Sequence, residues 1–537
     1  MYALLDRHRA ARGQHRTRLS SGSLTAMAGW ARLDRVARHV RRPPPGQQRH
    51  SWGSAASASS RTASADHPSQ ADASSALLPG MGLWMDVMRD MEHLYEDDYE
   101  VIFDAWQRGG VVGLVIGPLV FDAPDLVRSP DGSTAALEKS RPPALTFDAD
   151  PAVYEGFGVS VPHPDAEASY FAGIGDTLKT SAESRPEQRK QLHEMLAAAK
   201  QRGFTVMIFQ AQSGAPDDNE GTTYNGGVNY DDNHHLFDLT RRRSSIARIV
   251  DTMQQFPEAD GFIWDGPEWG YEIDVDLQGN GRSYIFDLPE ELRDDCRSLG
   301  YDYDRLRAGM DILFESLHDL DDSMGSETVL TALAEPRVAA WLTFRKDALT
   351  NFFHGVSRGV KEALAVSQPG RTVRMGLGTR SAAFAPLCGY DLAALASGEA
   401  AVDILMPKHY FYHRGFDGLV GTIARYCRVL CEWNRGDSGH PPRLSTAGAL
   451  GVVQGLFGLE LPGVTSSLDF ESVLETDEFY SAVVGGESAK ALAAVDGDAS
   501  RVVPWVDSGR LPHDGDPMTA GQLRRIVVSS QAVCHCL

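Results

Sequence analysis

Short apolar runs that alternate with amphipathic helical stretches constrain this chain more than any other feature. The runs are Val111-Val112-Gly113-Leu114-Val115-Ile116, Thr205-Val206-Met207-Ile208-Phe209, Gly261-Phe262-Ile263-Trp264, Val373-Arg374-Met375-Gly376-Leu377, Val402-Asp403-Ile404-Leu405-Met406 and Val502-Val503-Pro504-Trp505-Val506, with a weaker one over 154–161. They are too short for buried helices and too continuously apolar for strands with one wet face. Between them, helical periodicity runs over 97–108, 186–202, 241–255, 416–433, 445–457 and 519–530, and a long helical insertion covers 302–365, broken near Gly325 and Pro336. Strands buried on both faces and separated by helices belong to a parallel sheet. No Gly-x-Gly-x-x-Gly follows the first run and no phosphate-binding Gly-Lys-Ser/Thr loop occurs, which argues against a nucleotide fold. The expected architecture is α/β, a (β/α)8 TIM-type barrel. Only residues 531–537 follow the last helical stretch, so the barrel is expected to lack its last strand.

A chain of 537 residues suffices for one such barrel with insertions. A net charge of -22 sets aside nucleic acid and anionic membrane as main partners. No stretch reaches the roughly 18 consecutive apolar residues of a membrane helix. The charge is uneven: residues 1–80 hold twelve Arg, no Lys and four Asp, a net +8, so the remainder carries -30. That Arg-, Ser- and Pro-rich stretch is expected to be a disordered basic extension ahead of a barrel domain over 81–537. The six cysteines are scattered, which fits a reducing compartment and a cytoplasmic location rather than a disulfide framework. Cys427 and Cys431 would share a helix face as packing residues, and Cys534-His535-Cys536 has no second pair at zinc spacing.

The chemistry concentrates in Gly261-Phe262-Ile263-Trp264-Asp265-Gly266-Pro267-Glu268-Trp269-Gly270-Tyr271-Glu272. An apolar strand ends there in two carboxylates across a Gly-Pro turn, with aromatic residues on both sides. Barrel enzymes keep their chemistry at the carboxyl ends of the strands, and aromatic faces suit sugar rings. Glycosidic bond cleavage needs two carboxyl groups, one nucleophile or base and one acid. Asp265 and Glu268 supply two if the turn brings both to the mouth, since on a straight strand they would face opposite ways.

Phe262-Ile263-Trp264-Asp265-Gly266 resembles the Trp-x-Asp-Gly-type strand end of retaining α-L-fucosidases, and the spacing of Asp265 and Glu268 is similar to a fourth-strand motif of several α-glycosidase families. The resemblance covers about ten residues and implies the glycoside hydrolase barrel superfamily, with Asp265 as nucleophile. Pro267 and Glu268 depart from the fucosidase pattern, which leaves the acid residue unassigned and the family open.

The acid/base partner is expected to be Glu268 or Asp507, with Glu460 a rival if 458–462 is a strand. Trp264, Trp269, Tyr271, Gln210, Arg380, Lys408, His409 and Tyr410 lie at or just beyond strand ends and are expected to contact substrate. Two loops invite a metal. Asp274-x-Asp276-x-Gln278-Gly279 imitates a calcium loop but has Ile285 at its twelfth position, and Asp217 to His235 is rich in Asp, Asn and His. Neither has a full ligand set, so no metal and no cofactor is expected. The reading is a glycoside hydrolase-like protein acting on a carbohydrate. The alternatives are a non-catalytic carbohydrate-binding barrel, a degenerate or truncated enzyme, or a metal-dependent hydrolase.

Overall fold

The computed structural model describes residues 82–87, 94, 98–117, 186–211, 236–237, 239–265, 267–271, 273, 284–286, 288–323, 325–409, 419–436, 443–465, 473–506 and 519–534. Six parallel strands run in sequence order across one sheet: β1 (Leu83–Asp86), β2 (Val111–Ile116), β3 (Thr205–Ala211), β4 (Gly261–Asp265), β5 (Arg374–Arg380) and β6 (Ile404–Lys408). The segment 502–505 adds to β6 through parallel bridges at Leu405 with Val502 and Lys408 with Trp505. Its ladder includes Val503 N–H to Leu405 O (2.9 Å) and His409 N–H to Trp505 O (2.7 Å). The described helices include α1 (Tyr99–Arg108), α2 (Pro186–Gln201), α3 (Leu239–Gln255), α4 (Tyr303–His318), α5 (Gly325–Ala334), α6 (Pro336–Ser367), α7 (Leu419–Trp433), α8 (Thr446–Phe457), α9 (Gly486–Ala494) and α10 (Ala520–Gln531).

Successive side chains on a strand point to opposite faces, and here the two faces fill two separate cores. Leu114, Ile116, Val206, Ile208, Phe262, Trp264, Met375, Leu377 and Leu405 pack outward among the helices. Val115, Met207, Phe209, Ile263, Ile404, Met406, Val503 and Trp505 form an interior cluster of their own. The rings of Phe209 on β3 and Trp505, four positions further along the sheet, are 6.2 Å apart and meet edge-on across that interior. The sheet is therefore curled into a half-barrel. On β5 the inward positions 376 and 378 are glycine; a Cβ on Gly376 would lie 2.1 Å from Ile263 Cδ1. Neighbouring strands supply the side chains that fill the space.

At the amino ends the same clasp occurs twice. Asp260, just before β4, accepts from Val206 N–H of β3 (2.8 Å) and pairs with Lys200. Asp403, just before β6, accepts from Met375 N–H of β5 (2.8 Å) and pairs with Lys361 (3.1 Å). The backbone N–H of each aspartate returns to Val206 O or Met375 O, 2.8 Å in both cases. Each clasp fixes the register of one strand pair from below.

The α/β class and the parallel order agree with the sequence reading, and the 302–365 region is helical as expected, divided among α4, α5 and α6. An eight-stranded barrel is not reached among the described residues: there are six strands and one paired segment. The first strand is Leu83–Asp86, so the run at Val111 is the second strand rather than the first. The expected strand over 154–161 and the basic extension 1–80 lie outside the described residues. No helix among those described is long and apolar enough to cross a membrane.

Replacing Asp403 with Ala leaves the buried Met375 N–H without this acceptor, and should cost about 1–3 kcal/mol of stability in denaturant unfolding. Because the clasp sits at the amino ends, ligand binding at the opposite end should be unchanged. A variant as stable as the native chain would show that the clasp contributes nothing.

Candidate active site

Alternation decides which strand-end residues meet inside. Ile263 points inward, so Asp265 does too, and a Cβ at the neighbouring Gly378 would lie 3.1 Å from Asp265 Oδ1 and 3.1 Å from Trp505 Cζ3. Ile404 and Met406 point inward, and so does Lys408, the last residue of β6. Its ammonium lies 2.5 Å from Asp265 Oδ1 and 5.9 Å from the centroid of the Trp505 ring. Arg380 ends β5, in register with Lys408. The carboxyl ends of β4, β5 and β6 thus bring a carboxylate and two cations together beside an indole.

Beyond Asp265 the chain leaves the sheet without regular structure, and the segment 267–271 is held from several helices. Glu268 accepts from Arg380 Nε (2.8 Å to Oε1, 3.0 Å to Oε2) and from Nη2, with both side chains 7% exposed. Trp269 N–H donates to Cys388 O, and its indole N–H to Arg345 O on α6 (2.9 Å). The Arg345 guanidinium donates to Gly270 O and lies over the rings of Trp269 and Trp341. Tyr426 on α7 donates its hydroxyl to Tyr271 O, and Tyr390 reaches Pro267 O. Arg380 also lies 5.4 Å from the centroid of the Tyr271 ring. Burial raises the Tyr390 phenol well above its ordinary range, and the charges of Glu268 and Asp265 push it the same way.

The structure brings together Asp265, Glu268, Arg380, Lys408 and Tyr271 of the residues expected from sequence. It places others elsewhere. Trp264 turns outward, with its ring 5.6 Å from Phe352 and 5.8 Å from Phe353 of α6. Trp269 is packed against Phe344 and Arg345 beneath the 267–271 segment. Both indoles serve as packing residues, which takes them out of the set that could stack on a sugar. Gln210 is buried and follows the inward Phe209, so it faces the helices. His409 follows Lys408 and likewise turns outward; it is 2% exposed, with Nε2 3.3 Å from Ser488 Oγ of α9. Glu460 is exposed beyond the left-handed cap at Gly458, with no strand there.

Tyr410, Asp507 and both candidate metal loops lie outside the described residues, apart from Tyr284 and Ile285 at the end of the calcium-like loop. Among the described residues no group of three or more His, Cys, Asp or Glu is arranged to hold a metal. Trp505 and Arg345 were not singled out in the sequence. The first lay in a recognisable strand run, whereas nothing local marks a buried arginine in the middle of a long helix.

The chain is similar to the solved glycoside hydrolase domain of PgaB (BpsB) from Bordetella bronchiseptica, among other solved structures, at 11% identity and a TM-score of 0.39, over 84% of this chain and 91% of that one. No family model and no curated protein matches the chain. A likeness this distant transfers neither residues nor substrate.

Burial pushes the His409 imidazole down to about 3 from its ordinary 6.5, so the fold takes it neutral. The unfolded chain binds a proton near pH 6.5 and the folded one only near 3. The histidine's contribution is therefore complete above pH 6.5 and is lost progressively as the pH falls toward 3. His409→Gln should flatten this part of the stability profile in unfolding experiments across that window. An unchanged slope would show that His409 is not the group responsible.

Proposed function

We propose that this is a glycoside hydrolase-like protein whose reacting carboxylate is Asp265, acting on a carbohydrate at the carboxyl end of the curled sheet. One observation carries the reading: Asp265 ends a central parallel strand on the inner face, beside the cation of Lys408 and the indole of Trp505. A sugar there would meet a carboxylate for its anomeric carbon, charged donors for its hydroxyls and an aromatic face. Lys408 directs Asp265 by the ion pair, and Arg380 does the same for Glu268.

Glu268 suits an orienting role better than that of acid. Its two oxygens are occupied by the Arg380 fork, and that pair is buried, so it gives up its geometry only at a high cost. Asp507, the other partner expected from sequence, lies outside the described residues.

A second reading, a carbohydrate-binding barrel without turnover, draws on the same ion pairs, because both carboxylates are already engaged. The two readings part on a panel of nitrophenyl glycosides. Turnover of any member by the native protein, lost in Asp265→Asn, supports the hydrolase; a thermal shift with oligosaccharides and no turnover supports the binder.

Asp265→Asn takes the charge away from an ammonium that is 9% exposed, so it should also lower stability by roughly 1–3 kcal/mol. Pairing it with Lys408→Met should recover part of that loss. Retained turnover in Asp265→Asn would remove Asp265 from the reaction.

A further inference from the structure

We propose that Asp86, the last residue of β1, is the second reacting carboxyl group of this site and the proton donor to the leaving oxygen. The inference rests on the glycosidase reading of Asp265.

The strand that carries it was not visible as a strand in the sequence, yet it repeats the pattern of β4. Gly82-Leu83-Trp84-Met85-Asp86 and Gly261-Phe262-Ile263-Trp264-Asp265 each place an aspartate four residues after a glycine, at the carboxyl end of a parallel strand. Two independent observations put Asp86 on the inner face. Trp84, two residues earlier, packs against the interior cluster, and its ring lies where a side chain on the inward Gly113 would have to go, 2.3 Å from the position of a Cβ there. Asp86 is also in register with Val115, a member of the same cluster, and register partners share a face. Leu83 and Met85 pack on the helix side instead.

The curl of the sheet then sets what Asp86 faces. β3 and the 502–505 segment, four positions apart, touch through Phe209 and Trp505. β1 and β4 are three positions apart on the same curl, so their carboxyl ends look across one interior rather than along it. Asp86 and Asp265 therefore approach a bound ligand from opposite sides, as two carboxyl groups flanking a glycosidic bond must. Asp86 is half-buried at the end of the first described strand.

The proposed step balances without any further reagent. Asp265 Oδ forms a bond to the anomeric carbon as the bond from that carbon to the glycosidic oxygen breaks, and the departing oxygen takes the proton of the Asp86 carboxylic acid. Water then adds to the anomeric carbon, its proton passes to the Asp86 carboxylate, and the bond to Asp265 breaks.

The experiment uses the full chain and aryl glycosides of whichever sugar the native protein cleaves in the nitrophenyl panel. Two leaving groups are compared, dinitrophenyl, which departs without protonation, and methoxyphenyl, which does not. Asp86→Asn should lose about 10²–10⁴-fold in kcat/KM on the methoxyphenyl glycoside and far less on the dinitrophenyl one. Asp86→Ala should behave alike and, with azide, yield the glycosyl azide, which also covers failure of the first variant to fold. Asp265→Asn should lose both substrates. If the native protein cleaves the panel and the Asp86 variants keep the methoxyphenyl substrate, or lose both substrates equally, Asp86 is not the donor and the glycosidase reading stands. If the native protein cleaves no member, that reading fails and this proposal goes with it.

Discussion

A buried guanidinium anchors the irregular segment that follows β4. Arg345 sits 5.4 Å and 5.0 Å from the ring centroids of Trp269 and Trp341, and it donates to Gly270 O and Ile285 O. A cation taken out of water needs such compensation, from ring faces and carbonyl dipoles among other groups. In return it gives an irregular segment an anchor that loops ordinarily lack. Glu268 lies within that segment, and Arg380 follows Glu268. The chain of dependence therefore runs from a helix core through one loop to the mouth of the sheet.

The two faces of the sheet divide the labour. Outward residues bind it to the helices, while inward residues fill a small separate interior whose upper rim carries the charges. At the lower end, the paired Asp260 and Asp403 clasps hold register between strands. Polar groups at the bottom hold register, and those at the top form the Asp265–Lys408 and Glu268–Arg380 ion pairs. The same residue types do both jobs, and only their position on the strand tells them apart.

Much of the fold was legible because its signals are local. The strands β2 to β6 are continuous apolar runs, and helix starts fall at side chains that cap them: Asp98, Ser445 and Thr519 each accept from the first turn, the last within a capping box. β1 was missed because it is only four residues long and borders the composition change near residue 80. The position of Asp265 at the strand end followed from sequence, whereas Trp264 was expected to contact substrate although adjacent residues on a strand cannot both point inward. Proximity of the aromatic in sequence was mistaken for proximity in space. The Arg380–Glu268 pair joins residues 112 positions apart, and the Arg345 anchor joins residues 75 apart; no local pattern carries such information.

Gly378 gives the rim a different kind of sensitivity. It contributes no side chain, yet both the Asp265 carboxylate and the Trp505 indole rest within 3.1 Å of where one would begin. An alanine there would compete for space with Asp265 on one side and Trp505 on the other, so one of the two must yield. The emptiest position on the strand is in this way a spacer whose absence of bulk sets the distance between charge and aromatic surface.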